Sequence, residues 1–174
     1  MTSSQYRDIE DINYHDLNAG RSFGQFDPVE RSHCMEVTIS HNQGRVPVTV
    51  FHVDGDIDSS NYEELERIVF QEIDAGTRNV MVDLSTVPFI SSAGFRTFMK
   101  VFKRLRALSE GISEEDSHKG INTGAYKSPH LKLFKPNKLV AGTLKIAGFD
   151  MFLEVHEDMQ AAIASFQASG IPSQ

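Results

Sequence analysis

The chain has 174 residues, 40% of them apolar and 24% charged, with 24 acids against 17 bases and a formal charge of −7. That length suits one domain of ordinary size with some decoration, and the apolar share excludes disorder throughout. The acidic balance argues against nucleic acid as the main partner; the lone Cys34 excludes an internal disulfide and Cys-rich zinc sites; and no apolar run approaches the roughly 18 residues of a membrane span.

Met1 to Gly20 is polar and acidic, without the apolar core of a signal peptide. The expectation is a cytoplasmic protein that uses no membrane. Met1–Cys34 reads as an extension, residues 1–34, with six acids and three bases and no clear period. Ile9, Ile12, Leu17, Phe23 and Phe26 are its candidate anchors, and a short helix near Tyr6–Leu17 is a weak reading.

The domain is expected over residues 35–170. Met35 to Ile39 alternates apolar and polar, as a half-buried strand does. His41-Asn-Gln-Gly44 is a turn of hairpin type, and Val46 to Val53 is a β-branched second strand interrupted by Pro47, which suits a strand start or an edge. Ser60-Asn-Tyr-Glu63 has the form of a capping box. It opens a helix with Leu65, Ile68, Val69 and Ile73 on one face, stopped at Gly76. Val80 to Leu84 is a continuous apolar strand of the buried parallel kind. The next helix sets Phe95, Phe98, Met99, Phe102 and Leu105 against Arg96, Lys100, Lys103 and Arg104. Its basic side reads either as a solvated face or as a docking surface for an acidic partner.

Ser109 to His130 breaks the pattern and is expected to be a mobile inserted loop, residues 109–130. Leu131–Phe134 is a strand. Pro136-Asn137 opens a third helix, with Leu139, Val140, Thr143 and Leu144 inward. Met151–Val155 is a last strand, and Asp158–Gln167 a last helix. The order is ββαβαβαβα, an α/β fold with a mostly parallel, mixed sheet and an N-terminal hairpin.

Several enzyme templates fail. Ala141 to Gly148 lacks the Gly-Lys-Ser/Thr ending of a P-loop, and no GxGxxG, GxSxG or HExxH pattern is present. The seven histidines are scattered, whereas metal ligands come in clusters. Asp54, Asp56 and Asp58 have the spacing of the first calcium ligands of an EF-hand. Ser59 and Leu65, however, stand where its Gly and Glu belong. Acids ahead of a helix N-terminus explain that triplet better.

Phe89-Ile90-Ser91-Ser92-Ala93-Gly94-Phe95 carries the most information. Its serines lie where an apolar strand gives way to an amphipathic helix. They read either as N-caps or as a phosphorylation site beside the free amides of the helix start.

At this point the sequence resembles a family. Val80-Met-Val-Asp-Leu-Ser-Thr-Val-Pro-Phe-Ile-Ser-Ser-Ala-Gly-Phe-Arg96 is similar to the central signature of STAS domains of the anti-sigma-factor antagonist kind. Gly55-Asp-Ile-Asp58 matches that family's Gly-Glu-Leu-Asp, and the element order agrees. The resemblance covers Met35 to Phe166 apart from the insertion. It implies a STAS-like fold and a non-catalytic switch without a cofactor of its own. The dephosphorylated form binds a serine-kinase anti-sigma factor, which holds the ATP and Mg²⁺. A PP2C-type phosphatase reverses the modification.

The family's register selects Ser92 as the phosphoacceptor, with Ser91 second. It implies partner contacts by Asp56, Asp58, Ser91, Ser92, Ala93, Gly94 and Arg96. Ser91 departs from the Asp of many members, and Phe95 from the usual Leu. The readings that compete are a STAS scaffold or nucleotide-sensing module in another signalling assembly, and a small hydrolase. The hydrolase would use Ser92 with a histidine and one of Asp54, Asp56 or Asp58.

Overall fold

The computed structural model describes residues 35–110 and 126–167. The N-terminal extension, with its candidate helix near Tyr6–Leu17, and residues 111–125 of the insertion lie outside the described residues.

β1 (Glu36–Gln43) and β2 (Pro47–Asp54) form an antiparallel hairpin, pairing Glu36 with Asp54 at one end and Gln43 with Pro47 at the other. Pro47 sits at the first position of its strand, where a missing amide is tolerated. The hairpin turn abuts the C-terminal helix: a Cβ on Gly44 would lie 2.9 Å from the Ile163 side chain and 3.1 Å from its carbonyl oxygen.

The chain continues through α1 (Tyr62–Asp74), β3 (Val80–Thr86), α2 (Ser92–Glu110), β4 (Leu131–Phe134), α3 (Lys138–Ile146), a 3-10 turn (Phe149–Met151), β5 (Glu154–His156) and α4 (Met159–Ala164). The five strands lie side by side in sequence order, with β2 to β5 parallel. A mixed sheet and the element order ββαβαβαβα are therefore present as read from the sequence.

The two faces of the sheet carry different cores. Phe51, Val53, Val80, Val82, Leu84, Leu131 and Leu133 point to one side and pack on α1, α2 and α3. Val48, Val50, Met81 and Phe134 point to the other and pack with Ala162, Ile163 and Phe166, flanked by the partly buried Val46 and Met159. Sequential strand order explains the asymmetry. Same-handed crossovers that all step in one direction put their helices on one side. The short α4 covers part of the second face. Beyond it stands a polar chain across β1, β2 and β3. Ser40 Oγ lies 2.9 Å from His52 Nε2, and His52 Nδ1 2.8 Å from Asp83 Oδ2.

Several local expectations are corrected. Ser60 and Glu63 do not form a capping box. Asn61 is the N-cap of α1 and makes no side-chain cap bond, because its side-chain amide is taken up by the Asp58 N–H and the Asp56 carbonyl, while the Ser60 hydroxyl donates to Asp58 Oδ1 at 2.6 Å. Leu139 faces outward, 63% exposed, while Val140 and Leu144 fill the core. Met151 belongs to the 3-10 turn rather than a strand, and β5 begins only at Glu154.

The loop expected from Ser109 to His130 is narrower at both ends. α2 runs on to Glu110. After the undescribed stretch, the Tyr126 ring packs edge-on against Phe102 at 6.1 Å. Ser128 is buried, accepts from the amides of His130 and Leu131, and its own amide donates to the Phe152 carbonyl at 2.7 Å. Hydrogen bonding by small polar residues anchors this segment without an apolar period.

The basic side of α2 is partly occupied. Lys100 pairs with Glu66, and Arg104 with Asp74, both from α1. The Arg104 guanidinium also lies over the Phe70 ring. The acidic partner of half this face is thus the neighbouring helix.

Candidate functional site

At the carboxyl edge of the sheet two strand-to-helix connections run side by side. One follows β2 and carries Asp56 and Asp58; the other follows β3 and carries Phe89 to Ser91. They are joined as a miniature parallel ladder: Ile57 N donates to Phe89 O at 2.9 Å, and Ser91 N donates to Ile57 O at 2.8 Å. Ile57 and Ile90 form the corresponding bridge, and both are buried.

The first connection is also braced internally. Asn61 takes the Asp58 amide on Oδ1 at 2.9 Å and donates Nδ2 to the Asp56 carbonyl at 2.8 Å. Asp58 Oδ1 accepts from the Ser60 hydroxyl and amide. These bonds, the hydroxyl's first, hold the half-buried Asp58 carboxyl below its usual range, because they stabilise the charged form. Oδ1 of Asp56 is buried and has no hydrogen-bond partner.

The two adjacent serines separate by role. Ser91 is half-buried, and its Oγ accepts from Gly94 N at 3.3 Å, the bond of an N-cap. Its carbonyl accepts from Phe95 N at 3.1 Å, closing the first turn. Ser92, the first residue of α2, is exposed. It lies in the turn whose leading amides have no partner within the helix.

Ala93 is buried, and Gly94 is required by close approach. A Cβ there would come within 2.7 Å of Ile57 Cγ2, 2.8 Å of Ile90 Cγ2 and 3.2 Å of Ile57 O. Arg96 is exposed one turn on, its Nε 3.4 Å from the Ser92 carbonyl. The edge therefore assembles Asp56 and Asp58 from one connection with Ser91, Ser92, Gly94 and Arg96 from the other. Ala93 lies in the packing beneath.

Two features of this edge were not legible in the sequence. Phe89 is 47% exposed beside the serines. Asn137, the N-cap of α3, also donates Nδ2 to the carbonyls of Val87 and Pro88, at 2.8 and 3.0 Å. This ties the start of α3 to the same loop. Phe89 was visible as a residue but not as a surface one; only the loop geometry turns it outward.

The Ser–His–Asp chain of the described residues is formed not by Ser92 but by Ser40, His52 and Asp83, on the second face of the sheet. There it connects three strands. Asp54, Asp56 and Asp58 do not converge: among the described residues no group of three or more His, Cys, Asp or Glu side chains could hold a metal ion. No described helix is long and apolar enough to cross a membrane.

The fold and this edge define a STAS domain, and the STAS domain family model matches residues 40–111. A Bordetella bronchiseptica protein named as an anti-sigma factor antagonist, BtrV, is 30% identical over 115 residues, 66% of this chain and 83% of that one. Among solved structures, an anti-sigma factor antagonist from Mycobacterium paratuberculosis superposes with a TM-score of 0.57 at 15% identity, over 76% of this chain and 94% of that one. SpoIIAA in its unphosphorylated form gives 0.54 at 12% identity, over 73% and 93%. Bacillus SpoIIAA in the phosphorylated form gives 0.50 at 12%, over 73% and 96%. The chain belongs to the anti-sigma factor antagonist family of STAS proteins, whose members are not catalysts.

Proposed function

We propose that this chain is a phosphorylation-controlled protein-binding switch. Dephosphorylated, it binds a serine-kinase anti-sigma factor through the carboxyl edge of the sheet; phosphorylated on Ser92, it is released; a PP2C-type phosphatase resets it. Such a cycle operates in the cytoplasm. The observation that carries the reading is the division of labour between the serines. Ser91 is engaged as the helix cap, whereas Ser92 presents its hydroxyl on the surface at the helix start.

In the transfer, the Ser92 oxygen attacks the γ-phosphorus of ATP held by the kinase. The bond to ADP breaks, ADP leaves, and the hydroxyl proton passes to a base of the kinase. This chain supplies position only. The hydrogen-bonded pair of loops fixes where the hydroxyl stands, and the half-exposed Phe89 gives the partner an apolar contact beside it.

A phosphoryl group adds about −1.5 to −2 charge. In the free chain it meets the unpaired amides and positive dipole end of α2, and Arg96 lies one turn away, so the modification is tolerated. At a packed interface it must lose water, and any carboxylate opposite repels it. A cost of roughly 3–4 kcal/mol there weakens binding by two to three decades.

The test is mass spectrometry after incubation with the cognate kinase and ATP. Phosphate on Ser92 is expected, together with loss of the modification in Ser92→Ala. Phosphate on Ser91 with Ser92 untouched overturns the site; no transfer to either serine, with nucleotide bound by the chain itself, overturns the switch.

A further inference from the structure

The second face of the sheet carries a line of three side chains that the proposed switch does not use. Ser40 on β1, His52 on β2 and Asp83 on β3 stand on neighbouring strands. His52 is registered opposite Thr38 on one side and Asp83 on the other, with Ser40 diagonal to it. Ser40 Oγ is 2.9 Å from His52 Nε2, and His52 Nδ1 is 2.8 Å from Asp83 Oδ2. The carboxylate is the sheltered end, 12% exposed, whereas the imidazole is open to solvent at 38%. Ser40 is half-buried on an edge strand.

The direction of each bond follows from the two ends. Burial raises the Asp83 carboxyl, yet its bonds from Ser85 and His52 hold it below the usual carboxylate range, and Oδ1 takes the Ser85 amide at 3.0 Å. An ionised Oδ2 can only accept, so His52 Nδ1 donates to it. That leaves Nε2 of the neutral ring with its lone pair towards Ser40. Asn42 Nδ2 donates to Ser40 Oγ at 3.2 Å, so the hydroxyl hydrogen is available to His52. Of the residues paired with the ring or bonded to it, Thr38 and Ser40 on β1 and Asp83 on β3, only Asp83 is charged. A brace between strands needs no such polarity. Hydroxyl, base and carboxylate in this order are what draw the proton from a serine oxygen.

We propose that Ser40 is an activated serine that accepts an acyl group from a small activated ester, with His52 as its base and Asp83 as the residue that positions the ring. The Ser40 oxygen forms a bond to the ester carbonyl carbon while its proton passes to His52 Nε2. The bond from that carbon to the leaving oxygen then breaks. The leaving oxygen keeps the electron pair, takes the proton from His52 and departs as an alcohol. The product is one acyl ester per chain, a modification and not a cycle of turnover. Ser92 has no part in it.

The full chain treated with p-nitrophenyl acetate tests this, with the acetyl group located by peptide mass spectrometry. Acetyl on Ser40 is expected, at the same rate in Ser92→Ala. His52→Gln keeps a polar side chain but offers no base, and is expected to slow acetylation of Ser40 by about 10²-fold or more. In the parent the rate rises with pH along the single ionisation of the ring and then levels off. Asp83→Asn is expected to set an amide donor against Nδ1 and move the ring proton to Nε2, so that the rate falls and this pH limb disappears. An unlabelled Ser40 in the parent chain overturns the proposal. So does a His52→Gln chain labelled as fast as the parent, or an Asp83→Asn chain that keeps the parent's pH profile, the two results a purely structural brace would give.

Discussion

The amide of Ser91 donates to the carbonyl of Ile57 at 2.8 Å, so the residue before the exposed Ser92 is tied to the loop between Asp56 and Asp58. The two connections cannot shift independently. Whatever binds at this edge meets the acids and the serines in one fixed relation, set by a backbone bond rather than by side-chain contacts alone.

The first prediction concerns the glycine beneath that joint. Gly94→Ala places a methyl within 2.7–2.8 Å of Ile57 and Ile90. Overpacking of this kind costs about 1–3 kcal/mol. Gly142→Ala, in the middle of α3 with nothing within 4 Å, is expected to stabilise by about 0.5–1 kcal/mol. Urea denaturation of the pair checks both signs; a Gly94→Ala chain as stable as the parent refutes the close approach.

The serines should part in stability as well as in modification. Ser91→Ala removes the cap and is expected to cost about 0.5–1 kcal/mol, the low end of the range because the bond is long. Ser92→Ala should leave the unfolding midpoint unchanged. Equal losses in the two variants would contradict the assignment of the cap.

Asn137→Ala tests the brace between α3 and the Val87–Pro88 loop. It removes the cap bond to Val140 N at 2.9 Å and the two donations from Nδ2. The expected loss is about 1–2 kcal/mol. Faster amide exchange at Val140 should accompany it, and its absence would show that the cap is dispensable.

Asp83 gives the stability an acid limb. Burial pushes its carboxyl up, but the Ser85 amide and hydroxyl and the His52 ring outweigh this and hold it below the usual carboxylate range. The native state therefore binds this proton more weakly than the unfolded chain. The resulting stabilisation is complete above the unfolded carboxyl's value of about 3.9 and is lost as pH falls through the lower native value. Asp83→Asn should flatten the stability–pH curve below about pH 4. An unchanged acid slope would show that other carboxylates set it.

Hydrophobic rhythm made the order of elements legible. Val80–Leu84 is apolar apart from Asp83 and buried along its whole length, because it is the middle strand. Helix caps were less legible, since neighbouring polar residues compete: Ser60 looked free to cap α1, yet Asp58 captures its hydroxyl two residues earlier. Leu139 fits the apolar period of α3 but falls one position past its buried stripe. The Ser40–His52–Asp83 chain links residues 12 and 31 positions apart. It exists only once strand register is fixed, and no local pattern announces it. At the candidate site, spacing alone could nominate both serines. Distinguishing cap from exposed hydroxyl required the coordinates.

Phe166, fully buried against the second face of the sheet, has a consequence for biosynthesis. Val48, Val50 and Met81 are translated well before Ala162, Ile163 and Phe166, which cover them. A nascent chain whose Phe166 has not yet left the ribosome therefore leaves this apolar strip uncovered, and unshielded sheet surface invites aggregation. A message ending before codon 166 should yield insoluble protein rather than a shortened domain, and a fusion partner joined immediately after that phenylalanine should lower the soluble yield.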